Sequence, residues 1–409
     1  MSVKTLREYG TAFVLSVILV TLSWLTTSQI KAQSGLDVDG KIYAEMAARG
    51  LTPDGTTIYA PWCWRVLTPA LSSLLPFDVV GDFKTLAFVS HIVSLFLLYC
   101  LLRGLGREHL TSLVGLLLYA GVFWTVKFAF FSPAYVDFQT QTFLLLTLFL
   151  MVLRRYGLIP FVLTLGVLQK ESLLFLAPIV FIHIGRTEGW FKPKSLILLL
   201  LFVIPPLMAR GWITSRVIPD NIYSPLGAYA DNAMEQLTSL RFYSRFGIEI
   251  FSGTGLILLL LLFRAKAAGE FLREHPEWTA QLILGTVLLF GGVDKARLFL
   301  LMLPALVVIA SAALEPLLVR PSRAVSVWFA VTLLLHCYWG HHFTPMGTDA
   351  QYRARMVPLY SDMPLLPTAL HLLAVLTLWV CGTLLLMSRR RDSPVPPAAS
   401  EGKLRDSTL

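Results

Sequence analysis

Apolar residues run along this chain in blocks of about twenty, each closed by a short polar or basic stretch. Within the blocks there is no alternation. The run Leu196-Ile197-Leu198-Leu199-Leu200-Leu201 is apolar at every position. An α-helix needs about 20 apolar residues to cross the hydrocarbon core of a bilayer, whereas a membrane strand alternates with period two. The pattern predicts an all-α, polytopic bundle of transmembrane helices. A first span covers about Thr11 to Ser28, and others follow at roughly 83–102, 110–131, 134–153, 195–213, 247–263, 278–293, 297–318, 324–341 and 365–387.

The segment 157–185 fits this series only if it does not cross. Taken as one span it would carry Arg186, Lys192 and Lys194 to the outer side and invert every later loop. Taken as two short helices meeting near Gln169-Lys170-Glu171-Ser172, it returns to the side it left. Such a broken hairpin is tolerated where its turn lines a cavity. The expectation is about ten full spans plus this hairpin, with both termini cytoplasmic. Residues 1–388 form the membrane domain, with outer loops at about 29–82, 213–246 and 342–364. Two interfacial helices are expected in the first of these loops, over Lys41–Arg49 and Arg65–Leu75. The Pro-rich tail 389–409 is expected to be disordered.

Composition agrees with a membrane protein. Of 409 residues 56% are hydrophobic and 14% charged, against about 25% charged in soluble domains. The net charge of +9 raises the question of nucleic acid, but its placement answers it. Lys4 and Arg7, then Arg103, Arg107, Arg154, Arg155, Arg264, Lys266, Arg320, Arg323 and Arg389 to Arg391 all fall at expected cytoplasmic ends. That is the positive-inside bias, and it excludes a nucleic-acid patch. Lys4 and Arg7 ahead of a long first span, without a small-residue cleavage site, predict an uncleaved anchor. Cys63, Cys100, Cys337 and Cys381 have neither metal-ligand spacing nor the pattern of a disulfide scaffold. Short loops favour a bacterial cytoplasmic membrane over an endomembrane.

The candidate chemistry collects on the outer side of this map. Asp37 and Asp39, in Gly35-Leu36-Asp37-Val38-Asp39-Gly40, stand with Tyr43 just beyond the first span. Arg65 lies between tryptophans in Pro61-Trp62-Cys63-Trp64-Arg65. Asp137 begins the fourth span, Lys170 and Glu171 mark the hairpin tip, and Asp294 and Arg297 lie between two late spans. Each has a plainer explanation. Gly-x-Asp-x-Asp-Gly is turn chemistry, and Arg beside Trp anchors at headgroup level. Asp137 is placed to cap its helix. Lys170 with Glu171, and Asp294 with Arg297, are placed to pair locally; His341 and His342 lack a third metal ligand. Together they carry more weight, because ionisable groups at membrane depth usually mark a site.

These residues also carry a resemblance. An acidic motif soon after the first span and an arginine-led short helix ending in Leu75-Pro76 resemble the membrane glycosyltransferases of the GT-C type. So do Gly166-Val167-Leu168-Gln169-Lys170-Glu171 and Asp294-x-x-Arg297 ahead of Pro304. The likeness is one of layout over roughly residues 10–310, and the large soluble C-terminal domain of well-known members has no counterpart. The resemblance implies inverting transfer of a sugar from a polyprenyl-phosphate donor to a glycan, lipid or protein acceptor at the extracytoplasmic face. Asp37 or Asp39 would be the general base, and the pair would hold Mg²⁺ or Mn²⁺ if a metal is used. Arg65, Lys170 and Arg297 suit the phosphate, with Asp137 near the sugar. A transporter or flippase, with polar groups at the midplane, is the rival from another class. A non-catalytic envelope-assembly subunit is the third.

Overall fold

The computed structural model describes residues 2–30, 35–36, 38–50, 58, 61–216, 225–238, 240–290, 295–319, 321–342 and 365–391. Helices α1 (Val3–Thr26), α2 (Val38–Arg49), α3 (Leu67–Ser72), α4 (Val79–Gly104), α5 (His109–Gly121), α6 (Lys127–Phe131) and α7 (Asp137–Val152) form the first half. Then come α8 (Ile159–Gln169), α9 (Leu176–Glu188), α10 (Pro193–Arg216), α11 (Pro225–Thr238), α12 (Leu240–Thr254), α13 (Ile257–Phe263) and α14 (Ala265–Glu274). The series ends with α15 (Pro276–Leu289), α16 (Lys295–Leu298), α17 (Leu303–Leu318), α18 (Arg323–His342) and α19 (Leu365–Arg391). No strand occurs among the described residues, so the all-α expectation holds.

Among the described residues three helices, α1, α4 and α10, are long and apolar enough to cross a membrane. Their burial pattern explains why they need one. α1 buries only Ala12, Ser16 and Val20, a stripe at i, i+4, i+8 that packs on α4. Phe13, Val14, Ile18, Leu22 and Leu25 face outward, as do Leu196, Ile197, Leu200, Leu201 and Met208 of α10. An apolar surface this large on a soluble protein would aggregate; here it marks membrane association. α4 starts where Asp78 accepts a hydrogen bond from Gly81 N at 2.6 Å. Its buried positions Phe83, Ala87, Ser94, Leu98 and Leu101 recur at helical spacing, and α7 lies along α4.

The hairpin is where the sequence placed it. α8 ends at Gln169, Lys170 adopts an extended backbone (φ −161°, ψ 127°), and a 3-10 turn over Glu171–Phe175 leads into α9. α8 packs on α7 and α10, and α9 packs on α15. At the far end of α9, Glu277 Oε1 lies 2.9 Å from Arg186 Nη2, 3.2 Å from His183 Nδ1 and 3.4 Å from His275 Nδ1, tying that end to α15.

Several expected elements differ. The span 110–131 is not one helix. α5 stops at Gly121, and Thr125 Oγ1 lies 2.9 and 2.7 Å from the Tyr119 and Val122 carbonyls freed by the stop. The span 247–263 divides into α12 and α13 at Gly255, whose φ of +57° suits glycine and whose missing Cβ would meet His336 at 2.2 Å. The span 297–318 begins as the separate short α16. The helix predicted over Arg65–Leu75 is only α3, and the stretch after Arg264 holds an extra amphipathic helix, α14, with Ala268 and Phe271 buried. α10 continues as one helix past Pro205 and Pro206. α19 continues to Arg391, so the tail begins later than residue 389, and 392–409 lie outside the described residues, as do 343–364 of the loop expected at 342–364; the loop expected at 213–246 is largely helical, holding the end of α10, α11 and the start of α12, with 217–224 and 239 outside the described residues. All four cysteines are free thiols.

Candidate functional site

α2 brings the first two candidates onto one face, because Asp39 and Tyr43 are four residues apart on a helix. The helix is held close to the α6–α7 loop by Gly40, where a Cβ would meet the Ala134 Cβ at 3.1 Å and its carbonyl oxygen at 3.3 Å. The glycine of the acidic motif therefore serves close approach, and residues 38–40 form the first turn of α2, not a solvated loop. Asp37 lies outside the described residues.

Tyr43 points inward and is buried, and its hydroxyl accepts a hydrogen bond from Arg65 Nη1 at 3.1 Å. Burial pushes the phenol well above its ordinary value of 10 in spite of the arginine, so it stays a neutral hydroxyl. Arg65 follows the turn Trp62–Trp64 and grips Glu171 with both arms of its guanidinium, Nη2 to Oε1 at 2.5 Å and Nε to Oε2 at 3.0 Å. This fork-to-fork contact is the strongest geometry available to such a pair. It ties the segment between α2 and α3 to the hairpin tip.

The pair also sets a pH dependence. Burial alone would raise the Glu171 carboxyl, but Arg65 beside it outweighs burial and holds it below the ordinary 4.5. A depressed carboxylate adds stability that is complete above its unfolded value and lost as the pH falls through the folded one. The clasp is thus intact at neutral pH and opens on acidification below about 4.5. Unfolding followed from pH 7 into this range should show a loss of stability that Glu171→Gln largely removes. An acid limb of unchanged steepness in the variant would assign it to other carboxylates.

The second part of the site belongs to Asp137, Lys170 and Arg297. Lys170 Nζ lies 2.5 Å from Asp137 Oδ1, with both side chains about nine-tenths buried. Arg297 places Nε 3.7 Å from Asp137 Oδ2 and Nη1 3.8 Å from Asp39 Oδ2, while its guanidinium carbon lies 4.9 Å from the centre of the Tyr135 ring. The ion pairs thus form a chain, Asp39 to Arg297 to Asp137 to Lys170. Of the local arrangements expected from sequence, the Lys170–Glu171 pair and the Asp137 cap do not form, and the Asp294–Arg297 pair falls outside the described residues. Val136, not Asp137, occupies the cap position of α7, and Asp137 instead takes Lys170. Lys170 and Glu171 go to different partners, because an extended residue sends neighbouring side chains to opposite sides. Asp294 lies outside the described residues.

α7 is held in place by a run of buried polar residues just inside Asp137. Thr68 Oγ1 of α3 lies 2.6 Å from Gln139 Oε1 and 2.8 Å from Gln169 Oε1. Gln169 Nε2 donates to the Val136 carbonyl at 2.6 Å. The Tyr119 hydroxyl of α5 donates to Gln141 Oε1 at 2.5 Å, and Thr142 and Ser94 of α4 share a 2.8 Å hydrogen bond. Each side chain engages a different neighbour, so the turn bearing Asp137 is fixed from several sides. These residues were not nominated from sequence. The signal was Gln139-Thr140-Gln141-Thr142, four polar positions in succession inside an apolar span.

A small pocket opens beside this cluster. Asp137, Lys170 and Arg297 form its charged wall, Thr140 and Gln141 a neutral polar wall, and Leu144, Leu298, Leu300 and Leu301 the apolar remainder. The wider cluster gathers three cations and three carboxylates from five separate segments, of which Asp137, Lys170 and Arg297 line the cavity. Asp37, the other half of the carboxylate pair expected to hold a divalent ion, lies outside the described residues. No three His, Cys, Asp or Glu among them converge on a point that could hold one, and the Arg297 guanidinium stands between Asp39 and Asp137. No family model matches this chain, and no curated protein sequence matches it either.

Proposed function

We propose that the chain is a polytopic membrane glycosyltransferase of the GT-C kind. It would transfer a sugar from a polyprenyl-phosphate donor to an acceptor hydroxyl at the extracytoplasmic face. In this reading the shorter apolar helices join α1, α4 and α10 to make about ten crossings, both termini are cytoplasmic, and the membrane is a bacterial cytoplasmic one. The supporting observation is the linear order of the ion pairs. Asp39 stands at one end and Lys170 at the other, with Arg297 and Asp137 between them.

That order suits inverting transfer, in which the acceptor attacks from the face opposite the leaving group. The sugar lies along the chain of ion pairs with its phosphate toward Lys170 and Arg297 and its acceptor toward Asp39. Asp39 takes the acceptor proton as the acceptor oxygen bonds to the anomeric carbon. The bond from that carbon to the phosphate oxygen breaks, and its electron pair leaves with the polyprenyl phosphate. Lys170 and Arg297 stabilise the charge that develops there. Asp39 is the better base of the two described aspartates, since Asp137 is bound tightly by a buried lysine and is a weak proton acceptor. No step needs a metal.

The test is turnover of a panel of polyprenyl-phosphate sugars by the full-length protein in liposomes, with envelope glycans, lipids and proteins as acceptors. Release of free polyprenyl phosphate together with labelled acceptor is the expected result. The break at Lys170 keeps one rival alive, because discontinuous helices also build transporter sites. Movement of the intact donor across the bilayer with no release from any donor would establish the transporter instead.

A further inference from the structure

α10 carries a cation that the candidate site does not use. Between Glu188 and Asp220 the sequence has no acidic residue, yet it places Lys192, Lys194, Arg210 and Arg216 there. Lys194 pairs with Glu188, and Arg216 ends the helix. Arg210 differs, because it falls inside the helix. The run Ser195 to Ala209 that separates it from Lys194 spans about 22 Å, short of the roughly 30 Å of a hydrocarbon core. With Lys194 at one membrane surface, Arg210 therefore lies at or below the headgroups of the opposite leaflet, where an unpaired charge is costly. Its guanidinium nitrogens have no hydrogen-bond or ion-pair partner among the described residues.

A closed ring of contacts fixes the direction of this group. The guanidinium carbon of Arg210 lies 4.1 Å over the centre of the buried Trp64 ring. Trp64 Nε1 donates to Thr214 Oγ1 at 3.1 Å, and that hydroxyl donates to the Arg210 carbonyl at 2.9 Å. Contact with an indole takes the face of a guanidinium and leaves its N–H edge available. At Gly211 an added Cβ would meet nothing within 4 Å, so there is room beside the arginine. Leu200 and Leu207 are exposed and share one stripe of α10 with Arg210 and Thr214. Donors thus stand at one end of an apolar stripe that runs toward the middle of the helix.

We infer that Arg210 seats the phosphate of an anionic phospholipid, drawn from the leaflet on the side of the charged pocket, with an acyl chain along Leu207 and Leu200. The fork of the guanidinium matches two phosphate oxygens. A headgroup with net negative charge is favoured over a zwitterionic one, because the cation has no other counter-charge nearby. The chain gains contact with the leucines along its length, which a free phosphate does not. The seat is separate from the sugar-transfer site. Arg210 does not line the charged pocket, and the neighbouring Arg65 already spends Nε, Nη1 and Nη2 on Glu171 and Tyr43. The inference needs the membrane but not the transferase.

The experiment uses the full chain in nanodiscs of phosphatidylcholine with a minor fraction of phosphatidylglycerol, and measures which lipids stay bound on gentle extraction. A phosphatidylglycerol with a photoreactive acyl chain maps where they sit. Wild type should retain phosphatidylglycerol about fivefold over its share of the bilayer, with cross-links gathered on α10 near Leu207. Arg210→Gln should remove the preference. Arg210→Lys should keep only part of it, since an ammonium is a point charge without the fork. Arg216→Gln, at an exposed position of the same helix, should leave it unchanged. A preference that survives Arg210→Gln would overturn the seat, and so would an equal fall in Arg216→Gln, which would assign it to basic charge in general. Displacement of the lipid by inorganic phosphate would overturn the lipid as occupant in favour of a soluble anion. The cross-link map needs no variant to fold: adducts as dense on α1 and α4 as on α10 would also overturn it.

Discussion

Asp39→Asn is expected to lower sugar transfer by about 10²–10⁴-fold, the range by which a positioned general base contributes, while the protein remains folded. The two halves of this outcome have separate causes. The amide cannot accept the acceptor's proton, so the chemical step slows. The fold tolerates the change because the Asp39 carboxylate is about one-fifth exposed and meets Arg297 only at 3.8 Å, longer than a hydrogen bond. The loss should therefore appear in kcat, with donor binding within a few fold of wild type. Near-normal kcat in the variant would move the base to Asp37 or Asp137. A large loss of donor binding instead would make Asp39 a binding residue.

Lys170→Met is expected to cost about 3–5 kcal/mol of stability, the penalty for leaving a buried charge without its partner. Methionine keeps most of the length and apolar stem of lysine, so lost packing contributes little. What remains is Asp137, about nine-tenths buried, with Arg297 at 3.7 Å as its nearest described cation. The double variant Lys170→Met/Asp137→Asn should recover much of the loss, because the amide carries no charge to strand. Unfolding of both single variants and the double variant gives the coupling directly. A cost below about 1 kcal/mol for Lys170→Met would mean that water reaches the pair and screens it.

Much of the fold could be read from the sequence because membrane helices announce themselves by length and hydropathy. The break at Gln169–Ser172 was legible for a different reason: only a returning hairpin keeps Arg186, Lys192 and Lys194 with the other cations. The interruptions at 122–126 and Gly255 were not. Val122-Phe123-Trp124 is as apolar as any helix core, and what ends α5 there is tertiary: Thr125 near two freed carbonyls, and aromatic rings of Phe123, Trp124 and Phe128 packed together. The site divided in the same way. Its residue types and shared face were visible, because ionisable groups in an apolar chain stand out. Their pairing was not, since adjacency in sequence suggested Lys170 with Glu171 while the extended backbone at Lys170 separates them. The neutral polar residues of α7 went unremarked because glutamine and threonine carry no charge to flag them.

The chain of ion pairs has a consequence for how this protein is made. Asp39 and Asp137 leave the ribosome early, whereas Arg297, which lies between them in the finished molecule, is translated long afterwards. Lys170 arrives soon after Asp137, and Arg65 must wait for Glu171. Until α16 is inserted, the growing bundle holds acidic groups whose last counter-charge has not been synthesised. A nascent chain halted ahead of residue 297 should therefore be a poor substrate for stable packing and a good one for membrane quality-control proteases. In this architecture the site can close only once synthesis has passed α16.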